Sequence, residues 1–212
     1  MIISHTKKFI FFAVPKTGTH SVRQALRPHL TQDDLEQVGL FVHKRLPFPE
    51  LSALGHGHLS AAQVLPVLGS PLFMEYFKFA FVRNPYDRFV SFCSFMSRNT
   101  ERFATEPNAV MNEVLNDVKL HQHILFRPQN ELLCDSAGDL LMDFVGKVEF
   151  MQRDFDTICA RLDLPLAKLE QVNQSIHRPY QEYYDSELRE RVAATYLRDF
   201  ELFNYRFGAA TD

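Results

Sequence analysis

Two short segments of the chain are apolar at nearly every position, against a background of mixed polar and apolar residues. Phe9-Ile-Phe-Phe-Ala-Val14 and Lys78-Phe-Ala-Phe-Val82 have the character of strands covered on both faces. Pro15 closes the first, and a helical pattern follows from about Ser21 to Leu30. Asn84-Pro85 closes the second, and a helical stretch runs from Tyr86 to about Ser97. Val38 to Val42 and Lys147 to Phe150 are weaker strand candidates. Ser60 to Leu68 reads as a helix with Ser60 as its N-cap, and a longer helix is expected around Asn108 to Phe126.

The second half is mainly helical. Phe155, Ile158, Cys159 and Leu162 follow the i, i+3, i+4, i+7 spacing of an amphipathic helix, closed by Pro165. Leu188, Val192, Tyr196 and Phe200 recur every four residues behind an Asp185-Ser186 start signal. Strands alternating with helices early in the chain predict an α/β fold with a central parallel sheet flanked by helices and a helical C-terminal half. No Gly/Ser or Pro tract serves as a linker and no repeat is present, so a single domain over residues 1–212 is expected.

Composition narrows the function. With 46% apolar and 23% charged residues the chain is that of a folded globular protein. Lys+Arg 23 against Asp+Glu 26 gives a net charge of −3, which argues against a broad nucleic-acid surface but leaves room for a small cationic pocket. Cys93, Cys134 and Cys159 are far apart and in no CxxC spacing, so neither a disulfide framework nor a zinc site is expected, and a reducing, cytoplasmic location fits. The apolar run from Phe9 to Val14 is too short to span a membrane and lacks a signal cleavage site, so stable membrane insertion is not expected.

Parallel strands joined by helices bring their carboxyl ends to one sheet edge, where ligands usually bind. Both strong strands are followed there by unusual loops. In Val14-Pro15-Lys16-Thr17-Gly18-Thr19-His20-Ser21, Gly18 permits close backbone approach and the opening amides of the next helix form an anion site. Lys16 adds a charge, and Thr17, Thr19 and Ser21 add hydroxyls. The nucleotide-triphosphatase pattern G-x-x-x-x-G-K-[ST] is missing, since the lysine precedes the glycine. The same spacing also suits a plain strand-to-helix turn capped by Ser and Thr. In the second loop, Arg83 through Ser91, Arg83 leaves a buried strand and, with Ser91, suits a second phosphate. The alternative is that Arg83 pairs with Asp87 while Arg88 is solvated surface.

A third element, Gly55-His56-Gly57-His58-Leu59-Ser60, precedes the Ser60 helix. No Cys or carboxylate cluster completes a metal set around it, so no metal is expected. A solvated glycine loop and a general base remain as readings, since imidazole titrates near neutral pH. His121 and His123 diverge on a helix, and the His-, Arg- and Tyr-rich stretch from Asn173 to Tyr184 reads either as an adenosine cover or as a solvated linker.

Taken together, the two loops resemble those of the sulfotransferase family, with its P-K-[TS]-G-T-x-S and R-N-P-x-[DE]-R-x-x-S elements matched at Pro15–Ser21 and Arg83–Ser91. Arg127-Pro128-Gln129, the stretch from Glu149 to Phe155, Asn173-x-Ser175 and the ending from Asp199 to Phe207 look like the branch of carbohydrate 2-O-sulfotransferases and their bacterial relatives. His20 departs from the small or hydroxyl residue usual at its position, and the C-terminal R-K-G signature of small-molecule sulfotransferases is absent. The resemblance implies a three-layer P-loop-like fold and transfer of a sulfuryl group from 3′-phosphoadenosine 5′-phosphosulfate (PAPS) to an acceptor hydroxyl of a sugar, leaving adenosine 3′,5′-bisphosphate, with no metal. It implies that Pro15, Lys16, Thr17, Gly18, Thr19, His20 and Ser21 hold the phosphosulfate and that Arg83 and Ser91 hold the 3′-phosphate. By likeness to the histidine pair of uronosyl 2-O-sulfotransferases, it makes His58 the base, assisted by His56, with Lys16 meeting charge on the leaving oxygen. Rival readings are a P-loop-type nucleotide kinase or NTPase and a non-catalytic PAPS-binding protein.

Overall fold

The computed structural model of the protein describes residues 1–39, 44–170 and 178–208. The described residues of Met1–Val82 and Gln129–Val172 form one compact unit, and those of Arg83–Pro128 and Asn173–Asp212 a second.

The first unit is built on a five-stranded sheet of β1 (Ile2–Ser4), β2 (Phe9–Phe12), β3 (Leu35–Glu36), β4 (Phe77–Val82) and β5 (Phe144–Lys147), in the order β3-β1-β2-β4-β5. Strands β2, β4 and β5 run parallel, with Phe12 opposite Ala80 and Val82 opposite Lys147. The α/β expectation holds, with a difference at one side: β1 is antiparallel to both β2 and β3, so the sheet is mixed. The four residues joining β1 to β2 leave no room for a crossover, and a tight reversal gives an antiparallel pair. β5 starts three residues before the expected segment, whose remainder, Val148–Phe150, is a 3-10 turn. Val38 forms an isolated bridge with Lys44, and positions 40–42 of the expected strand lie outside the described residues.

Every residue of β2 is fully buried, as its unbroken apolar run requires. Phe9, Phe11, Phe79 and Phe81 form one core with Val22 and Leu26 of the helix α1 (Thr19–Leu26) and Phe155, Ile158 and Cys159 of the helix Met151–Arg161. Phe11 and Phe79 stack at 5.3 Å. Phe12 meets Phe73 from the helix Ser70–Glu75 at 6.3 Å. The many phenylalanines thus fill the layers between sheet and helices. α1 gives way at Leu26 to a 3-10 turn containing Pro28, which cannot donate the next helical hydrogen bond. Ser60 caps the helix Ala61–Leu68 in a full capping box with Gln63.

The second unit is helical. Its helices include Pro85–Met96, Pro107–Asn116, Val118–His121, Ser186–Thr195 and Leu197–Leu202. The long helix expected from Asn108 to Phe126 is interrupted at Asp117, whose side chain accepts from the Lys119 amide at 2.9 Å and starts a new turn. Asp185 caps its helix through the Leu188 amide at 2.8 Å. Leu188, Val192 and Tyr196 face a core with Tyr86, Phe89, Phe92 and Met111, so the four-residue spacing marks an interior stripe.

Candidate active site

The loop after β2 is held open from within. Lys16 and Gly18 both take left-handed backbone, with φ of 65° and 67°. A lysine pays strain there, of order 1–2 kcal/mol, and such strain collects at sites where the chain must meet a ligand. Thr17 is fully buried and its hydroxyl donates to the Val14 carbonyl at 2.9 Å. Its side chain therefore closes the loop, and what it offers outward is backbone. Gly18 is the N-cap of α1, and no side chain caps that helix. A Cβ at Gly18 would stand 2.8 Å from Met151 Cε, so the glycine answers to packing as well as to φ. Ser21 is buried one turn into the helix and donates its amide to the Gly18 carbonyl at 3.1 Å. The result is a helix N-terminus with positive dipole end, led by a lysine and fitted to an anion.

The histidine turn is fixed to the same strand. Gln37, fully buried, donates from its side chain to the Leu51 and His56 carbonyls, both at 2.8 Å, and accepts from the Leu46 amide. A Cβ at Gly57 would collide with the Gln37 carbonyl oxygen at 2.1 Å, which makes this position glycine by contact. His58 Nδ1 stands 2.7 Å from the Ala13 carbonyl oxygen. A carbonyl only accepts, so Nδ1 carries the proton and the neutral ring keeps its lone pair on Nε2. Burial pushes the His58 pKa down to about 3, helped by the Arg23 guanidinium and only partly offset by the Ala13 bond. The ring is neutral at physiological pH. His56 accepts the His58 amide on its Nδ1 at 3.3 Å, and the two rings lie 6.1 Å apart.

In the second unit, Arg83 and Asp87 form a two-point ion pair, Nε to Oδ2 at 3.1 Å and Nη2 to Oδ1 at 2.5 Å. The pairing of Arg83 with Asp87 is thus present. Its companion is corrected: Arg88 is not solvated surface but 1% exposed, donating to the carbonyls of Leu125 and Arg127 at 3.1 and 2.7 Å and facing the Tyr196 ring. The apolar face of its helix draws it inward, and the carbonyls of Leu125 and Arg127, far along the chain, satisfy its charge. Asn84 caps the helix Pro85–Met96 through the Tyr86 amide and donates to the Arg206 carbonyl at 3.0 Å. Ser91 is buried in that helix.

Within the first unit, then, the structure joins the Pro15–Ser21 loop to the His56–His58 turn through Ala13, two residues upstream of Pro15. Two residues escaped the sequence reading. Arg23 looked like any helix-surface arginine, although it falls four residues after Thr19 and so on the same face. Gln37 carried no signal, because its partners are distant backbone carbonyls. His121 stacks on Phe126 at 4.7 Å and contacts the Leu115 carbonyl, a structural setting. His43, Asn173, Ser175 and His177 lie outside the described residues. Among the described residues no group of three or more His, Cys, Asp or Glu side chains is placed to hold a metal, and no helix is long and apolar enough to cross a membrane.

A model described as the sulfotransferase family matches residues 1–206. No curated protein and no solved structure matches the chain.

Proposed function

Since the chain belongs to the sulfotransferase family, we propose that it moves a sulfuryl group from PAPS to the hydroxyl of a carbohydrate acceptor, in the cytoplasm, leaving adenosine 3′,5′-bisphosphate. The observation that carries this reading is the hydrogen bond from His58 to Ala13. It ties a neutral imidazole, with its Nε2 lone pair available, to the strand end that leads into an anion-suited loop.

In this reaction His58 takes the acceptor's hydroxyl proton on Nε2 while the acceptor oxygen forms its bond to sulfur and the bond from sulfur to the bridging oxygen breaks. The bridging oxygen stays on the departing phosphate, and Lys16 meets the charge that grows there. Loop amides at Gly18 and Thr19, with Pro15, Thr17, His20 and Ser21 shaping the loop, receive the phosphosulfate. His56 orients the base through its contact with the His58 amide. Arg83 and Ser91 receive the 3′-phosphate, a planar guanidinium being suited to phosphate oxygens. A nearly neutral base fits the chemistry, because an incoming anion raises its proton affinity as transfer begins.

Incubation with labelled PAPS and fractionated cell extracts, followed by mass spectrometry, tests the reading. A product gaining one SO₃ group is expected, and the gain should vanish in the Lys16→Ala protein. Stabilisation by ATP·Mg²⁺ in preference to PAPS in a thermal shift experiment would favour a kinase or NTPase instead.

A further inference from the structure

Arg23 is 6% exposed, and no carboxylate pairs with it among the described residues. Its Nη1 makes a long contact, 3.4 Å, with the Thr19 hydroxyl, and its buried Nε has no hydrogen-bond partner among the described residues. Its Nη2 abuts the Gly57 backbone, 3.1 Å from where a Cβ would be. The nearest acid in the electrostatic sense, Glu36, is already held by Arg27 and Lys44, each at 2.9 Å. Glu36 is thus shared by two other cations. Burial draws the Arg23 pKa down to about 10, so the side chain is still charged at neutral pH.

A buried guanidinium with unused donors costs stability unless an anion completes it. The position of this one is specific. It touches Thr19, the first residue of α1, on one side and Gly57, between the two histidines, on the other. Arg23 therefore lies beside both the start of α1 and the histidine turn, the two elements that carry the donor loop and the base of the proposed reaction. We propose that Arg23 is a further donor-binding residue, whose guanidinium donates hydrogen bonds to the oxygens of the sulfuryl group itself. The proposal rests on the sulfotransferase reading above and gives the sulfuryl end of the donor a cationic partner of its own. The sulfuryl group carries a single negative charge over three oxygens in both the donor and the product ester, and a planar fork matches two of them at once. Arg23 keeps all its protons throughout; the proton of the acceptor goes to His58. Gly57 acquires a purpose in the same step, because any side chain there would push the guanidinium away.

Calorimetric titration of the wild-type protein, Arg23→Gln and Arg23→Lys with PAPS and with adenosine 3′,5′-bisphosphate tests this directly, since only PAPS bears the sulfuryl group. Arg23→Gln should weaken PAPS by about tenfold or more while changing the bisphosphate by less than about twofold, the loss expected for charge-assisted hydrogen bonds. Arg23→Lys, which keeps the charge and loses the fork, should lie between. Far-UV circular dichroism checks the fold, and should Arg23→Gln not fold, the lysine variant alone must still weaken PAPS selectively. Equal losses for both nucleotides, or none for either, overturn the assignment of Arg23 and leave the donor reading standing. A wild-type protein that binds neither nucleotide overturns the donor reading first and Arg23 with it.

Discussion

His58 Nδ1 and the Ala13 carbonyl oxygen lie 2.7 Å apart, and this bond decides which imidazole nitrogen is left as a base. Ala13 belongs to the apolar run that ends in Pro15 and Lys16. One backbone carbonyl thus sets the tautomer of the histidine and ties it to the phosphate-suited loop. The histidine is neutral because burial and a nearby guanidinium oppose its charging.

Acid should weaken the fold through this ring. The His58 pKa falls from the ordinary 6.5 to about 3, so between those values the unfolded chain binds a proton that the folded ring refuses. Stability is complete above about 6.5 and is lost as pH drops from there toward 3, by up to about 1.4 kcal/mol per pH unit. Urea midpoints of wild type and His58→Asn at pH 7.5, 6 and 5 measure it. The variant should lose stability less steeply, and parallel pH dependences would count against the neutral ring.

Turnover and donor binding should separate at the same residue. His58→Asn removes the proposed base and should lower turnover by about 10² to 10⁴-fold, the usual contribution of one general base. Affinity for adenosine 3′,5′-bisphosphate should be nearly unchanged, whereas Lys16→Ala should weaken both. Retention of full turnover by His58→Asn, with its fold intact, would rule out the base assignment.

Gly18→Ala should destabilise the protein by about 1–2 kcal/mol, because a Cβ is strained in left-handed backbone. It would also press on Met151 Cε at 2.8 Å. A double-mutant cycle with Met151→Ala separates the two causes: contact relief restores part of the loss and leaves the backbone part. Full rescue would mean that packing alone fixes this glycine.

Two arginines five residues apart should behave in opposite ways. Arg88→Met leaves the Leu125 and Arg127 carbonyls without their buried donor, and thermal or urea unfolding should record a loss of about 2–4 kcal/mol. Arg83→Ala, at a partly exposed pair with Asp87, should cost little stability and weaken nucleotide binding. Reversal of the two readouts would move the 3′-phosphate contact away from Arg83.

Much of this was written into local sequence. The runs at Phe9 and Phe79 are strands because a segment apolar on both faces can be covered only inside a sheet between helices. Ser60 and Asp185 start their helices because a side-chain oxygen within reach of the third residue's amide needs no distant partner. β1 and β3 were invisible, since three and two residues carry no period, and their pairing is decided by neighbours far along the chain.

The sites divide along the same line. Residue order alone fixed the shape of the Lys16–Gly18 turn at the start of α1, because these residues are contiguous and their geometry is local. Folding decided the rest. Arg88 reads as a solvated charge on its helix, yet it is buried on the carbonyls of Leu125 and Arg127, while Arg83 is paired with Asp87. Arg23 and His58 are 35 positions apart in the chain, yet the Arg23 guanidinium adds to the burial that keeps the His58 ring neutral. Desolvation and long-range hydrogen bonds depend on what packs around a group, and that is settled only when the whole chain has closed on itself.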